Sequence, residues 1–580
     1  MNFDIKSVPF SRYGSRFAVS RLSGSKDGPP GLYLRSVYGG AGRPIFAIEL
    51  GAGGQRVNFE EIATPSSLVL RPDVPDAGKK NPPFVEICIP QPDVVRIRGR
   101  GVGLRLSRDP SPGGLAISAP QGQWRILPGI DAQQFMLTPI VGHLHVDAPW
   151  QLVEAWGNRH HRCPRIVASF LPDVRTGLFE CAIQRYESEP LSADFSRPFD
   201  ECVKAAGKEF AAWAAKTPAV GRKHAAAGEL AAYVTWSAVV EADGNFHRPV
   251  MLMSKNMMTK VWNWDNYFNA WADSYRNFDF AWGQFMFFLD HQHDSGELAD
   301  MIDEHRITFD FTKPPVHGWM LRRIMERTGR LTKSHLKAVY EPLCRATEWW
   351  FKCRDDDGDG VPQYNHGNDS GWDNSTSFDV GVPLESPDLS AFLIVQMDVL
   401  ADVARKLGKA RHAAAWKKRA DELLAKLLAH SWRGDRFVAP RSGDHAVTAD
   451  GDSLLPFETI VLGKRLPAEV RKHMVAGLAD NGRFLTPLGL ATESLRSSQY
   501  LPKGYWRGPI WAPSTMIIVD GLMDAGEKTL ARDIAGRFCQ MCLKSGFAEN
   551  FDAVTGAGLC DPAYTWTASV FMILAHEYVK

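Results

Sequence analysis

The feature that most constrains the fold of this chain is a change of sequence pattern near residue 198. Before it, short segments such as Val94–Arg98 and Val102–Leu106 alternate apolar and polar residues, which is the period of half-buried strands. After it, nearly every segment has the period of an amphipathic helix, with short loops between the helices. We therefore predict an N-terminal antiparallel β-sandwich followed by a helical domain.

The helical pattern predicts about eleven helices after Arg222. About a dozen helices after a β domain fit an (α/α)6 toroid, and the alternative of a helical solenoid lacks a repeat of fixed period. The predicted domains are residues 1–197 for the sandwich, 198–221 for a helical linker and 222–580 for the toroid. The predicted helices are Lys223–Val240, Asp265–Ser274, Phe278–His291, Val316–Thr328, Ser334–Cys353, Leu389–Leu407, Ala410–His430, Pro467–Ala479, Pro509–Met523, Lys528–Lys544 and Ala563–Tyr578.

Composition excludes some classes of partner. The 580 residues include 67 Lys and Arg against 66 Asp and Glu, so no net field attracts nucleic acid or an anionic membrane. No apolar stretch is long enough to span a bilayer, and residues 1–6 lack the pattern of a signal peptide. Nine scattered Cys are typical of reduced thiols. We expect a cytoplasmic protein that acts on a small molecule, and the oligomeric state stays open.

The loop Asn365–Ser375, with the sequence NHGNDSGWDNS, carries the clearest chemical signal. It contains Asp369 and Asp373, and Asp373 follows Trp372. Hydrolysis of a sugar acetal needs a protonated carboxylic acid at the leaving oxygen and a second carboxylate that drives water. An adjacent indole offers a face for a sugar and partly desolvates the acid, which raises its pKa. The competing interpretation is a surface turn, in which Gly, Asn, Asp and Ser are common.

Four further stretches combine aromatic and polar residues. In the first, Asp265 could serve as a helix N-cap instead of a ligand, and in the second, Pro315 could simply begin a helix. In the last, either Glu549 or Asp552 could be the second carboxylate, and position alone does not choose between them. The stretches are KVWNWDNYF at 260–268, FTKPPVHGW at 311–319, GYWRGPIW at 504–511 and FAENFD at 547–552.

Together these stretches resemble glycoside hydrolase family 63 and the related trehalases of family 37. The resemblance covers roughly residues 222–580, because the motifs KVWNWDNYF, TKPPVHGW, SGWDNS, YWRGPIW and ENFDAVTG occur in family order. It implies an inverting, α-glucosidase-like enzyme with Asp373 as general acid and Glu549 as general base. The expected substrate-binding residues are Trp264, Asp265, Lys313, Trp319, Trp372, Asn374, Trp506, Arg507, Gly508 and Trp511.

Lys313 departs from the trehalase pattern, in which Gln precedes the Pro-Pro pair. A cation there puts trehalose in doubt and leaves room for an acidic aglycone, whose carboxylate Lys313 or Arg507 could hold. The resemblance implies a small α-glucoside or related α-glycoside as the substrate. Among the glycosides that family 63 relatives cleave are oligosaccharides, mannosylglycerate and glucosylglycerate.

The run Asp355–Gly360 matches the first half of a calcium loop, with Asp at the first, third and fifth positions and Gly at the sixth. The twelfth position, where a bidentate Glu belongs, is His366. We predict Asp355, Asp357 and Asp359 as ligands of a structural calcium ion. Hydrolysis itself requires no cofactor.

Two other functions stay open at this point. One is another (α/α)6 sugar enzyme, an epimerase or a lyase, that abstracts a proton with His317 or His366. The other is a carbohydrate-binding protein without catalysis. The presence of both Asp373 and Glu549 in their motifs favours hydrolysis over either.

Overall fold

The computed structural model describes residues 1–24, 29–40, 42–74, 81–111, 113–129, 133–155, 158–189, 195–448 and 450–579, without the side chain of residue 155. The chain divides into two compact units. The first comprises Met1–Ala215 and Trp236–Thr259, and the second comprises Lys216–Thr235 and Lys260–Lys580. Residues 236–259 therefore belong to the first unit, although their sequence lies beyond the predicted sandwich.

The first unit consists mainly of antiparallel strands. The predicted strands at 94–98 and 102–106 are confirmed, and they correspond to β8 (Val94–Arg100) and β9 (Gly103–Arg108). Between residues 195 and 215 the chain forms one helix, α1 (Phe199–Ala214), which packs on β7. The strands are β1 Phe17–Leu22, β2 Gly31–Ser36, β3 Arg43–Ala52, β4 Gln55–Val57, β5 Phe59–Ala63, β6 Leu68–Pro72, β7 Phe84–Gln91, β8 Val94–Arg100, β9 Gly103–Arg108, β10 Leu115–Ser118, β11 Trp124–Leu127, β12 Gln134–Val141, β13 His143–Asp147, β14 Gln151–Ala155, β15 Asn158–Arg162, β16 Ile166–Leu171, β17 Leu178–Tyr186, β18 Val239–Val240 and β19 Val250–Met251.

Two large sheets share the core of this unit. One has the order β1-β2-β3-β9-β16-β13 with β4 on β3, and the other has the order β10-β11-β12-β17-β8-β7-β6-β5. Their apolar faces meet in one cluster that includes Leu34 and Leu106 of the first sheet and Ile97 and Ile183 of the second. The side chains of β9 alternate between the two faces of the sheet, and this alternation gives the sheet its apolar face: Leu104 and Leu106 are buried while Arg105 is exposed.

The second unit is helical. All eleven predicted helices are present, and each end lies within three residues of its predicted position. The helices are α2 Ala225–Ala238, whose last residues belong to the first unit, α3 Asn263–Ser274, α4 Phe278–Asp290, α5 His317–Thr328, α6 Lys333–Cys353, α7 Pro387–Lys406, α8 Ala410–Ser431, the 3₁₀ helix Leu455–Arg465, α9 Ala468–Ala479, α10 Ala512–Ala525, α11 Lys528–Ser545 and α12 Thr565–Glu577. Short strands join them: β20 Val261–Trp262, β21 Met301–Ile302, β22 Ile307–Thr308, β23 Leu485–Thr486, β24 Gly489–Leu490, β25 Ile510–Trp511, β26 Asn550–Phe551 and β27 Gly558–Leu559.

Six of these helices pack on one another in sequence order. α3 contacts α5, α5 contacts α7, α7 contacts the 3₁₀ helix Leu455–Arg465, which contacts α10; α10 contacts α12, and α12 contacts α3. Two glycines permit this close packing: a Cβ on Gly318 would lie 2.4 Å from Gln396 Cα, and one on Gly521 would lie 2.6 Å from Ile460 O. The 3₁₀ helix was not predicted, because Pro456 and Gly463 interrupt its helical pattern.

Two chemical features of the chain bear on the sequence predictions. All nine Cys are free thiols, as their scattered positions predicted. Within the described ranges, no helix combines the length and the apolar character that crossing a membrane requires.

Candidate active site

The loop that presents Asp373 is held by the carboxylate of Asp369. This carboxylate accepts hydrogen bonds from the backbone N–H groups of Thr312 (2.9 Å), Asn365 (2.8 Å) and His366 (3.0 Å). Gly371 follows with a φ of 72°, in the left-handed region. A Cβ there would lie 2.5 Å from the ring of Trp264. The sequence therefore needs Gly at 371 to bring the loop against the start of α3.

Asp373 lies in a partly buried and electrostatically mixed setting. Burial raises the pKa of its carboxyl group above the usual value, while the positive charge of Lys313 and the neighbouring His366 lower it. Lys313 is fixed in place, because its Nζ lies 2.6 Å from Asp300 Oδ1 and donates to Asn368 O at 2.8 Å. The predicted cation therefore acts on Asp373 through its charge, while its own contacts are an ion pair with Asp300 and a hydrogen bond to Asn368 O.

Glu549 lies just before β26 and is 4% exposed. Its Oε1 accepts a hydrogen bond from the Tyr505 hydroxyl at 3.0 Å, and its Oε2 accepts one from the backbone N–H of Asp561 at 3.3 Å. Burial raises the pKa of Glu549 to about 7, and the Asp561 carboxylate adds to the increase, while these two hydrogen bonds lower it. At neutral pH this group exists in both protonation states, which suits proton transfer.

Asp552, the alternative second carboxylate, has a structural role. Its Oδ1 accepts hydrogen bonds from the backbone N–H groups of Val554 (2.9 Å) and Thr555 (2.8 Å), and these hydrogen bonds lower its pKa despite an opposing effect of burial. It closes the turn after β26 as an Asx turn. The structure therefore distinguishes the two acids, and Glu549 is the one with the raised pKa.

Tyr505 connects the two candidate catalytic acids. Burial raises the pKa of its phenol, and the negative charges of Glu549, Asp373 and Asp265 raise it further. Of these three carboxylates, Glu549 is bonded by the Tyr505 hydroxyl, and Asp373 and Asp265 act on it through their charges. Asp265 lies inside α3 and is no N-cap; it accepts a hydrogen bond from the Tyr564 hydroxyl at 2.8 Å, and burial raises its pKa to about 7.

Asn374 and Arg507 link the Asp373 loop to the loop that carries Tyr505. The Asn374 carboxamide donates to Gly504 O at 3.0 Å and accepts from Trp506 N–H at 3.0 Å. Arg507 Nε donates to Asn374 O at 2.7 Å, and its guanidinium forms an ion pair with Asp379. Both residues were predicted to bind substrate, and in the structure their polar groups hold the two loops together.

The indoles at 264, 372, 506 and 511 form one buried cluster. Trp506 stacks on Trp511 with ring centroids 3.9 Å apart and lies 4.7 Å from Trp372 and 5.9 Å from Trp264. Trp511 also contacts Tyr505 edge-on at 4.8 Å and donates from Nε1 to Tyr505 O at 2.9 Å. The cluster supports Tyr505, and binding of substrate by these four indoles stays a prediction.

Trp319 and Gly508 also make contacts within the protein. The indole of Trp319 is fully buried, donates to Asp520 Oδ2 at 2.6 Å and packs edge-on against Trp271. Its contacts are with the helical core. Gly508 was expected to let a ligand approach the backbone, but the group that a Cβ would meet is Leu501 O, at 2.4 Å. These contacts show that motif residues also pack the helices and loops near the carboxylates, and substrate binding at both positions stays a prediction.

The acidic loop after α6 brings its three predicted ligands together. Ligand oxygens of Asp355, Asp357 and Asp359 lie within 4.8 Å of one another. Each also accepts a backbone N–H, from Gly360, Asp359 and Val361 respectively, as in a closed acidic turn. The geometry is therefore compatible with either a calcium loop or a turn that binds nothing.

The domain described as the mannosylglycerate hydrolase MGH1-like glycoside hydrolase domain matches residues 258–567, more than half of the chain. The chain belongs to this family. It is a family 63 glycoside hydrolase, as the motifs predicted. It is similar to mannosylglycerate hydrolase MGH1 of Selaginella moellendorffii, with 21% identity over 393 residues that cover 55% of this chain and 80% of that protein.

Two solved structures show the fold of this family 63 hydrolase. The GH63 mannosylglycerate hydrolase of Thermus thermophilus, in complex with glucose, has a TM-score of 0.51 and 19% identity, over 59% of this chain and 98% of that one. A bacterial glucoamylase complexed with acarbose has a TM-score of 0.61 and 10% identity, over 100% of this chain and 94% of that one. The second match extends the similarity to the antiparallel sheets.

In this hydrolase, each of the two imidazoles that an epimerase or a lyase would use has one nitrogen in a hydrogen bond to another residue. His317 is buried at the start of α5, where burial lowers its pKa to about 3 and its Nε2 lies 3.2 Å from Asn263 Oδ1. His366 Nδ1 accepts from Asn368 N–H at 3.0 Å and shapes the Asp373 loop. Neither is arranged as a free base.

Sequence reasoning missed three residues that hold the site. Tyr505 bonds the Glu549 carboxylate, Asp369 organises the Asp373 loop, and Tyr564 bonds Asp265. Tyr505 lies within the YWRGPIW motif, so the sequence did indicate this stretch. Nothing in the motif indicated that the phenol bonds Glu549. Tyr564 lies 299 residues from Asp265, and no local pattern could have paired them.

Proposed function

We propose that this hydrolase cleaves the α-glycosidic bond of a small α-glycoside with inversion of the anomeric configuration, using Asp373 as general acid and Glu549 as general base. The observation that carries the proposal is that partly buried Asp373 and buried Glu549 both have a raised pKa, that Tyr505 bonds Glu549, and that the charges of both acids act on the Tyr505 phenol. Most glycosidases need two carboxyl groups in different surroundings, one that donates a proton and one that accepts a proton or attacks.

The acid step depends on the burial of Asp373. Burial raises the pKa of this carboxyl group and so favours the protonated form, from which the glycosidic oxygen takes the proton as the bond to C1 breaks. Lys313 opposes this effect and favours the carboxylate that remains after the transfer. The two influences together keep the group able both to give and to regain its proton.

The base step depends on Glu549. Its carboxylate takes a proton from a water molecule that attacks C1 from the face opposite the leaving group, which inverts the configuration. The pKa of about 7 places this base near neutral pH, where general-base catalysis is most effective. Each oxygen of Glu549 accepts one hydrogen bond, from Tyr505 and from Asp561 N–H, and these bonds orient the carboxylate while each oxygen keeps a lone pair for the water.

We further propose that the fold is a β-sandwich followed by an (α/α)6 toroid. The cyclic order of contacts from α3 through α12 and back to α3 supports the toroid, with the 3₁₀ helix Leu455–Arg465 in one of the six inner positions. The shared core of the two antiparallel sheets supports the sandwich. In such a toroid, the loops before α3, α5 and α10 lie at one end and carry the motif residues.

The substrate class that we propose is a mannosyl- or glucosyl-glycerate type of α-glycoside. Its support is the family domain, whose description names mannosylglycerate, together with the cation at 313 where trehalases carry Gln. The hydrogen bonds of Lys313 and the ion pair of Arg507 are already made within the protein. A glycerate carboxylate would therefore interact with the charge of Lys313 rather than replace its partners.

The test is sugar release from mannosylglycerate, glucosylglycerate, trehalose and a maltooligosaccharide by the wild-type chain. Glu549→Gln serves as the catalytic blank, and Asp533→Asn, which removes an exposed carboxylate on α11, serves as the matched control. We expect release from a glycerate glycoside that Asp533→Asn retains and Glu549→Gln loses. Release from trehalose alone contradicts the proposed substrate, and equal activity of Glu549→Gln contradicts the proposed base.

Three expectations from the sequence stay predictions: calcium at Asp355, Asp357 and Asp359, hydrolysis without a cofactor, and a cytoplasmic location.

A further inference from the structure

A second group of metal-binding side chains lies apart from the candidate catalytic acids. Its members come from four segments: Asp359 in the loop after α6, Glu385 just before α7, His430 in the last turn of α8, and His445 in the loop after α8. One ligand atom from each lies within 4.8 Å of those of the other three. Residues so far apart in sequence meet here because α7 and α8 pack on each other.

Glu385 is the unusual member of this group. Its side chain is 0% exposed, and neither carboxylate oxygen has a hydrogen-bond partner among the residues that the structure describes. Its backbone is fixed, because its N–H donates to Pro440 O at 2.8 Å. Burying an ionised carboxylate without compensation is costly, so a positive charge is expected next to it.

The groups that face Glu385 are imidazoles rather than Lys or Arg side chains. His430 Nε2 lies 2.7 Å from Glu385 Oε2, yet this nitrogen also lacks the geometry of a hydrogen bond to any described atom. His445 Nε2 lies 3.8 Å from the same oxygen and 3.9 Å from Asp359 Oδ2. Two nitrogens and two carboxylates are thus directed toward one small volume.

The spacing fits a small divalent ion. Four ligand atoms at about 2.0–2.2 Å from a tetrahedral Zn²⁺ lie about 3.3–3.5 Å from one another. The separations within this group, 2.7, 3.8 and 3.9 Å, lie on both sides of that value. Imidazole ligands select Zn²⁺ and similar transition metals, whereas Ca²⁺ takes six to eight oxygen atoms.

We propose that Asp359, Glu385, His430 and His445 bind one divalent transition metal ion of the Zn²⁺ class. This site differs in ligands and in metal from the calcium expected at Asp355, Asp357 and Asp359, with which it shares only Asp359. Asp357 lies beside it, since its Oδ2 accepts from Gly443 N–H at 3.0 Å; the hydrogen bond of 3.3 Å between this oxygen and His445 Nε2 would give way to the bond from that nitrogen to the metal.

The bound ion has a structural role. It joins the loop after α6 to the start of α7 and to the end of α8. The same loop continues into residues 365–375, which carry Asp373, so the ion fixes one end of the catalytic loop without contacting the substrate. This inference goes beyond the proposed function and does not depend on it.

The experiment measures metal retained by the full-length protein. The chain is treated with a chelator, incubated with ZnCl2 or with CaCl2, passed through a desalting column and analysed by elemental mass spectrometry. The variants are Glu385→Gln and His445→Asn; the matched control is His473→Asn, which removes an imidazole that faces a single carboxylate, Glu469. The loss of a residue that only hydrogen-bonds a ligand weakens metal binding about 10–100-fold, so the loss of a ligand should weaken it about 100-fold or more.

We expect one Zn²⁺ per chain in the wild type and in His473→Asn, and loss of that ion in both ligand variants. We also expect Zn²⁺ to raise the Tm of the wild type and not that of His445→Asn, which changes a half-exposed side chain and should fold. Binding of Ca²⁺ but not Zn²⁺ overturns the proposal and supports the acidic loop instead. Retention of neither metal, or Zn²⁺ that persists in both variants, also overturns it.

Discussion

The two candidate catalytic acids are held in different ways. Asp373 lies in an irregular loop whose shape depends on hydrogen bonds that the Asp369 carboxylate accepts and that the Asn374 carboxamide donates. Glu549 lies beside the short sheet β25-β26-β27, and its own carboxylate accepts two hydrogen bonds. Their electrostatic surroundings also differ: the positive charge of Lys313 acts on Asp373, whereas the negative charge of Asp561 acts on Glu549.

Burial, and not the sign of the nearest charge, has the largest effect on both groups. It raises both pKa values, and the neighbouring charges then act in opposite directions. The positioning differs as well, since the acid depends on its loop and the base depends on direct contacts. Each of the following experiments changes one of these two acids or its surroundings.

The largest effect is expected from removal of either carboxyl group. Asp373→Asn and Glu549→Gln should each lower kcat/KM on a natural glycoside roughly 10²–10⁴-fold, because each removes a general acid or base. An α-glycosyl fluoride separates the two roles, because fluoride leaves without a proton. We expect Asp373→Asn to regain activity on the fluoride and Glu549→Gln to stay inactive, measured by fluoride release.

The matched control for both variants is Asp533→Asn, which removes only a surface ion pair with Arg537. It should keep wild-type activity on both substrates. If Glu549→Gln regained activity on the fluoride and Asp373→Asn did not, Glu549 would be the general acid and Asp373 the general base.

A smaller effect is expected from Asn374→Ala, which removes the carboxamide that bonds Gly504 and Trp506. Because catalysis depends strongly on the position of the reacting groups, kcat should fall about 10–100-fold. The lost hydrogen bonds contribute about 1 kcal/mol each, so the Tm should fall only slightly. Asn365→Ala, whose carboxamide bonds Gln363 within the same loop region, is the control. Equal losses of kcat in both variants would contradict a specific link between the loops.

The smallest expected effect is a shift of the pH profile in Tyr505→Phe. Glu549 must be ionised to act as the base, so wild-type kcat/KM should rise with pH through about 7. The Tyr505 hydrogen bond lowers the pKa of Glu549, so its loss should move this limb to higher pH. The expected shift is about one to two units, since such bonds contribute ~1.5–3 kcal/mol and one unit corresponds to about 1.4 kcal/mol.

Tyr500→Phe is the control for this shift. Tyr500 precedes the same motif, and its hydroxyl has no hydrogen-bond partner among the described residues. Its profile should match the wild type. An unchanged midpoint in Tyr505→Phe would show that this hydrogen bond does not set the pKa of Glu549.

The sequence predicted the helices well because their apolar period is local. Each of the eleven predicted helices is present, whereas the 3₁₀ helix Leu455–Arg465 was missed because Pro456 and Gly463 break its pattern. The motifs also indicated both candidate catalytic acids. Choosing Glu549 over Asp552 required the resemblance at first, and then the structure, in which Asp552 closes a turn.

The remaining features depend on contacts between distant residues. Nothing in the sequence near Trp319 indicates that Asp520 accepts its indole N–H, 201 residues away. In the same way, Arg507 is an isolated cation in sequence but pairs with Asp379 in the fold. The proposed metal-binding group could not be predicted from the sequence for the same reason, since Glu385 and His430 meet only when α7 packs on α8.

The most direct test of the proposed mechanism is NMR that resolves the anomers of the sugar released in the first moments of hydrolysis of an α-glycoside, before mutarotation. With Asp373 as acid and Glu549 as base, we predict that wild type first releases the β-anomer and that Glu549→Gln releases none. Initial release of the α-anomer would contradict this mechanism, because that outcome requires a carboxylate that attacks the sugar itself.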